Sequence, residues 1–154
     1  MNYHRLMCQA KEYLTSSKYR IVNTEDAADF LRPLLQKQPS ETCIVLYLNT
    51  NNDVLEVEQV ALGTVEMCCI APREVFRAAI NHNATSIIIA HNHPSGEYIP
   101  SKEDIDISKK IVKAGKIMAI NVLDVVIFGN KSKEEDKDYY SFAEHQRLKK
   151  GILK

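Results

Sequence analysis

The sequence predicts an α/β domain: a mixed β-sheet flanked by helices. Three observations point there. Apolar residues recur at helical spacing in three long segments. Residues 85–90 form a short, almost wholly apolar run, the pattern of a strand covered on both faces. The order of elements mixes hairpins with crossovers, which calls for helices layered on a mixed sheet. At 154 residues the chain has the length of one domain, able to bury its own core without disulfides.

Residues 1–22 read as a short polar helix, a separate N-terminal arm, ahead of a domain over 23–145 and a basic tail over 146–154. The domain opens on Asn23-Thr24-Glu25-Asp26, a capping side chain followed by acids that suit a helix start. Ala27, Ala28, Phe30, Leu31, Leu34 and Leu35 then keep helical spacing until Pro39 stops the helix. Residues 41–48, rich in Thr, Ile, Val and Tyr, read as a strand. The turn cluster Asn49-Thr50-Asn51-Asn52-Asp53 folds it back onto a second strand over 54–62. Gly63 breaks that strand and residues 64–70 resume as a third. Pro72 suits a first helical turn, with Val75, Phe76, Ala79 and Ile80 as the apolar stripe. The run 85–90 feeds a breaker-rich loop, His91-Asn92-His93-Pro94-Ser95-Gly96. Residues 101–118 form a helix that Gly115 weakens near its end, and 120–128 form a last central strand closed by Gly129-Asn130. From Lys131 the chain alternates charge, relieved only by Tyr139-Tyr140-Ser141-Phe142.

Composition narrows the function. Hydrophobic residues make up 45% and charged residues 26%, and 20 basic residues balance 20 acidic ones, so neither disorder nor phosphate neutralisation is favoured. The longest apolar stretch falls far short of the ~20 residues a membrane span needs, and no secretory signal opens the chain. A bacterial cytoplasmic protein without membrane attachment is expected. Cys8, Cys43, Cys68 and Cys69 include no CxxC pair and read as buried, reduced thiols.

The chemistry gathers in the loop after the buried run. His91 and His93 stand at i and i+2, so persisting strand geometry points both imidazoles to one side. Asp104 follows in the first turn of the next helix. Two imidazoles and a carboxylate suit a catalytic zinc with its fourth position left to solvent. On spacing alone Asp104 has a second reading: Ser101-Lys102-Glu103-Asp104 resembles a capping box. His4, His82 and His145 sit in polar stretches and read as solvated.

His91-x-His93-Pro94, followed after six residues by Ser101-x-x-Asp104, matches the JAMM (MPN+) metalloprotease motif, spacing included. The flanking text, Pro72-Arg73-Glu74-Val75-Phe76-Arg77, Ala90-His91-Asn92-His93-Pro94-Ser95-Gly96 and Tyr139-Tyr140-Ser141-Phe142-Ala143, resembles the RadC-like branch of the JAB/MPN fold over roughly residues 24–145. The resemblance implies the three-layer MPN/JAB (cytidine-deaminase-like) architecture and a zinc (Zn2+) metallopeptidase or isopeptidase acting on a peptide or protein substrate. It implies zinc on His91, His93 and Asp104, an oxyanion donor in Ser101, and a general base on the first strand after the first helix, for which Glu41 is the candidate. Glu56, Glu58, Glu66 and Glu74 compete for that role, and an exposed acid at a strand start competes as a reading of Glu41 itself.

Two departures stand out. Full-length RadC-like proteins carry an N-terminal helix-hairpin-helix, a DNA-binding element for which the residues ahead of the domain are too few. Relatives often carry His where this chain has Val125. A DNA-repair-associated accessory role is therefore the weaker alternative, with Lys149-Lys150 its only support. A non-catalytic MPN interaction module is weaker still, because such modules lose ligands that this chain keeps.

Overall fold

Strands with both faces covered must be largely apolar, and residues 43–48 and 87–90 of this chain meet that demand. They become the centre of the sheet. In a computed structural model, residues 3–36, 38–62, 70–130 and 137–145 are described, with 61 and 62 by backbone alone. Two helices come first, α1 (Tyr3–Ser16) and α2 (Thr24–Leu35). The strands β1 (Thr42–Leu48) and β2 (Val54–Leu62) follow as a hairpin. Then come α3 (Pro72–Asn81), β3 (Ser86–Asn92), α4 (Lys102–Met118), β4 (Asn121–Phe128) and β5 (Tyr139–Ser141).

The five described strands form one sheet in the order β2-β1-β3-β4-β5. The β3–β4 pairing is parallel, joined through α4, and the others are antiparallel. Every residue of β1 and β3 is buried. Cys43, Val45, Tyr47, Ile87 and Ile89 pack with Val75, Phe76, Ile107 and Ile111 of α3 and α4. Ile44, Leu46, Leu48, Ile88 and Ala90 pack with Met7 of α1 and Ala27, Leu31 and Leu35 of α2. The expected α/β mixed sheet flanked by helices is therefore present, in three layers.

Several local expectations are met for the reasons given. Asn23 accepts from Asp26 N–H at 3.0 Å while the Asp26 carboxylate accepts from Asn23 N–H at 3.1 Å, a closed capping box. Asn49 Oδ1 accepts from Asn51 and Asp53 amides at 2.9 and 3.0 Å, closing the hairpin turn.

Other expectations need revision. The arm expected over 1–22 is helical over Tyr3–Ser16 and lies in the fold, with Met7 and Ile21 in the core shared with α2. β3 runs two residues further than expected and takes in His91 and Asn92. Gly115 does not weaken α4: a Cβ there would stand 2.5 Å from the Ile120 carbonyl, so glycine lets the chain turn closely over the helix end. Tyr139–Ser141, set in a charged stretch, is a fifth strand, with Tyr140 in the α3/α4-side core and Tyr139 in the α1/α2-side core. Cys43 is buried, as expected of the thiols, but Cys8 is exposed. The third strand expected over 64–70 lies outside the described residues except for Ile70, which is buried. Cys68, Cys69, Glu66 and the basic tail also lie outside them.

Asp124 on β4 fastens three elements together. Its Oδ1 accepts from Val125 and Ala143 amides at 2.8 and 2.9 Å, and its Oδ2 from the Ser141 and Thr24 hydroxyls at 2.6 and 3.3 Å. Burial outweighs these bonds and pushes its pKa up to about 6. The neutral acid is thus favoured in the fold. Its contribution is fully present below the unfolded value near ~3.9 and is lost as pH rises through about 6. By neutral pH the loss is about 3 kcal/mol. In Asp124→Asn the new amide can donate to both hydroxyls, which turn to accept. Urea unfolding at pH 4 and pH 7 is expected to show the wild type losing stability relative to this variant as pH rises; an unchanged gap between the two proteins would contradict the assignment.

Candidate metal centre

Alternation along β3 sends His91 to the α3/α4 side with Ile87 and Ile89, and His93, two residues on, returns to that side. β1 pairs antiparallel with β3 so that Cys43 faces His91. Continuing that register brings Glu41, immediately before β1, opposite His93. Asp104 reaches the same point from the first turn of α4.

Four side chains meet as a result. Glu41, His91, His93 and Asp104 each offer a ligand atom, and these atoms all lie within 4.8 Å of one another. Asp104 Oδ1 is 3.1 Å from His91 Nε2, Asp104 Oδ2 is 3.2 Å from His93 Nε2, and the two Nε2 atoms are 3.1 Å apart. His91 is fully buried and Asp104 nearly so.

The capping box is also real. Ser101 Oγ accepts from Asp104 N–H at 3.1 Å and Asp104 Oδ2 accepts from Ser101 N–H at 2.8 Å. The two readings of Asp104 are therefore not alternatives, because one carboxylate closes the helix start and faces both imidazoles.

The electrostatics suit a cation. Burial alone would raise the Asp104 pKa, but bonds to His91, His93 and the Ser101 amide hold it far below the usual carboxylate range. Burial lowers His91, against the pull of Asp104. Burial also acts to lower His93, yet Asp104, the Glu97 carbonyl and Glu41 together raise it. His93 Nδ1 donates to the Glu97 carbonyl at 2.9 Å, which leaves Nε2 as the inward lone pair of the neutral ring. His91 Nδ1 is buried without a hydrogen-bond partner, so only its Nε2 is engaged.

The donor set fits a tetrahedrally held metal ion. Ligands about 2.0–2.1 Å from a tetrahedral ion lie about 3.3–3.4 Å from each other. The Nε2–Nε2 separation of 3.1 Å and the His91 Nε2–Asp104 Oδ1 separation of 3.1 Å are close to that spacing, with the second Asp104 oxygen 3.2 Å from His93 Nε2. The loop from His93 onward is held by backbone bonds from His93 N–H to the Phe128 carbonyl and from Asn130 N–H to the Gly96 carbonyl, at 2.9 and 2.8 Å. Gly129 packs so tightly on Gly96 that no Cβ fits between them.

The competing residues go elsewhere. Glu58 pairs with His82 at 2.7 Å, Glu56 with Lys11 at 3.5 Å, and Glu74 with Arg73 and Arg77. His82 is thus paired rather than merely solvated, and His145 stacks on Tyr140 with centroids 4.0 Å apart. Val125 lies in the apolar core, in register with Ile89. Sequence reasoning passed over Asn92; its position between the two histidines was the available signal.

A His–His–Asp set with His91 and Asp104 buried, His93 half-buried and a glutamate adjacent, at the end of a central strand in a three-layer α/β domain, defines a metal-site domain of the JAB type. Residues 21–148 match the family described as the RadC-like JAB domain, and the chain belongs to that family. It is similar to a UPF0758 protein of Clostridium tetani, 41% identical over 120 residues, which cover 78% of this chain and 53% of that protein. A UPF0758 protein of Caldanaerobacter subterraneus subsp. tengcongensis is 38% identical over 126 residues, 80% of this chain and 54% of its own length. Another from Methanosarcina mazei is 37% identical over 118 residues, 77% and 52%. The chain thus spans about half the length of these relatives. Among the described residues, no helix is long and apolar enough to cross a membrane.

Proposed function

We propose that this chain is a zinc-dependent hydrolase that cleaves a peptide or isopeptide bond. In this reading His91, His93 and Asp104 hold the ion, Glu41 is the general base and Ser101 assists as an oxyanion donor. What supports it is the convergence of Glu41 on the three-residue donor set, all ligand atoms lying within 4.8 Å. A zinc ion held there supplies Lewis acidity, which brings the pKa of water toward about 7.

The remaining work belongs to the side chains. The Glu41 carboxylate takes the proton of the attacking water and passes it to the departing amine nitrogen, so the proton lost by water leaves with the amine. Asp104, held ionised, keeps the negative charge a ligand requires. The Ser101 hydroxyl uses a lone pair for the Asp104 amide and keeps its proton for the developing oxyanion.

Zinc analysis of the purified chain together with a peptide-library assay tests the proposal. About one zinc per chain is expected, with cleavage that stops on chelation and returns with added zinc. Failure to retain zinc, or cleavage indifferent to chelator, would overturn it. Ser101→Ala is expected to cost about 10²–10³ in rate with zinc retained, alongside about 1 kcal/mol of stability from the lost cap. A lower melting temperature with an unchanged rate would leave Ser101 as a cap alone.

A further inference from the structure

Asn92 stands between the two histidines in the chain, yet alternation turns its side chain to the opposite face of the sheet, the α1/α2 side shared by Ile88 and Ala90. It is only 4% exposed. Its Oδ1 accepts from the Thr42 amide at 2.8 Å, and its Nδ2 donates to the Ser40 and Gln38 carbonyls at 3.2 and 3.4 Å. Ser40 and Thr42 are the chain neighbours of Glu41, so these bonds bracket it.

The location of these bonds gives them their meaning. The β1–β3 pairing ends at Cys43 and His91, one residue short of Thr42 and Asn92. Beyond that point a side-chain amide replaces the backbone ladder and holds the segment that enters β1. One acceptor and two donors match one N–H and two carbonyls, a set that aspartate, lacking the donors, cannot satisfy. A leucine would leave all three backbone groups without this partner.

We propose that Asn92 is the positioning residue for Glu41. Its buried amide fixes the segment 38–42 and so holds the Glu41 carboxylate beside the imidazoles. The proposal rests on the reading of Glu41 as the general base. It also explains why the base keeps its place although it precedes the strand: β3 carries both histidines on one face and the clamp for the acid's backbone on the other.

The test uses the full chain as wild type, Asn92→Ala, Glu41→Gln and the double variant. In the metal-free protein, amide exchange at Thr42 is expected to speed up at least ~10-fold in Asn92→Ala, with Val45 and Leu46 unchanged. Zinc affinity, measured by chelator competition, is expected to stay within about threefold, since no ligand is touched. The saturated cleavage rate is expected to fall about 10²-fold with KM unchanged, and Asn92→Ala is expected to cost nothing further in the Glu41→Gln background.

Unchanged Thr42 exchange in Asn92→Ala would overturn the proposal. So would an equal loss of rate in both backgrounds, or release of zinc. Should Asn92→Ala not fold, the near-isosteric Asn92→Asp carries the test: it keeps the Thr42 acceptor, loses the two donors, and is expected to lower the rate while leaving Thr42 protected. A wild type that cleaves no amide would sink the hydrolase reading instead, and Thr42 exchange alone would then decide the clamp.

Discussion

Glu41→Gln is expected to keep its zinc and to lose about 10²–10⁴ in the rate of amide cleavage, the usual worth of a positioned general base. Glutamine has the shape of glutamate and cannot take a proton at neutral pH. The expectation that zinc remains follows from the three-residue donor set. His91 and His93 face each other across 3.1 Å, and the two Asp104 oxygens lie 3.1 and 3.2 Å from their Nε2 atoms, so these three residues already supply a complete three-ligand set without Glu41. Chelator competition and steady-state kinetics on the same preparation separate the two roles. Zinc lost together with activity would make Glu41 a fourth ligand, and full activity would remove it from the mechanism.

Asp104→Ala is expected to abolish both metal binding and cleavage. Outer-sphere partners of metal ligands alone are worth about 10–100-fold in affinity, so removal of a direct ligand should cost at least the upper end of that range. The variant also strips the Ser101 amide of its acceptor and leaves the buried His91 without its carboxylate. Zinc titration followed by isothermal calorimetry, with thermal melting of the metal-free protein, reads the two losses apart. Asp104→Asn offers a milder case, because its oxygen can still accept from Ser101 N–H while its charge is gone. Zinc bound at wild-type affinity by Asp104→Ala would end the assignment of this carboxylate as a ligand.

Much of the site was legible because it is built from local patterns. His-x-His after an apolar run gives two imidazoles on one face from alternation alone, and Ser101-x-x-Asp104 gives a helix start from capping chemistry. The sequence could not show that Asp104 serves both purposes, since that depends on where α4 lands. Glu41 illustrates the harder case. Its place is set by antiparallel pairing of Cys43 with His91, 48 positions further along the chain, and single-chain spacing carries no record of register. The resemblance to the JAMM pattern, not periodicity, singled it out among the acids.

The misses have the same origin. β5 spans three residues, too short for alternation to register, and its two tyrosines go to opposite cores. The clamp by Asn92 joins residues more than fifty apart. Gly115 looked like a helix weakness because the chain that crosses it, at Ile120, comes from the return into β4. The helices themselves were read well, since their caps and stripes lie within a few residues.

The pairing of Cys43 with His91 makes the whole arrangement a matter of odd and even. One extra residue between positions 41 and 43 would swap the sides on which successive groups emerge, aiming the acid at the layer of α2 instead. A residue added within the turn at 49–53 lies outside that span and leaves the count intact. Length changes across this family should therefore be tolerated at one end of β1 and forbidden at the other.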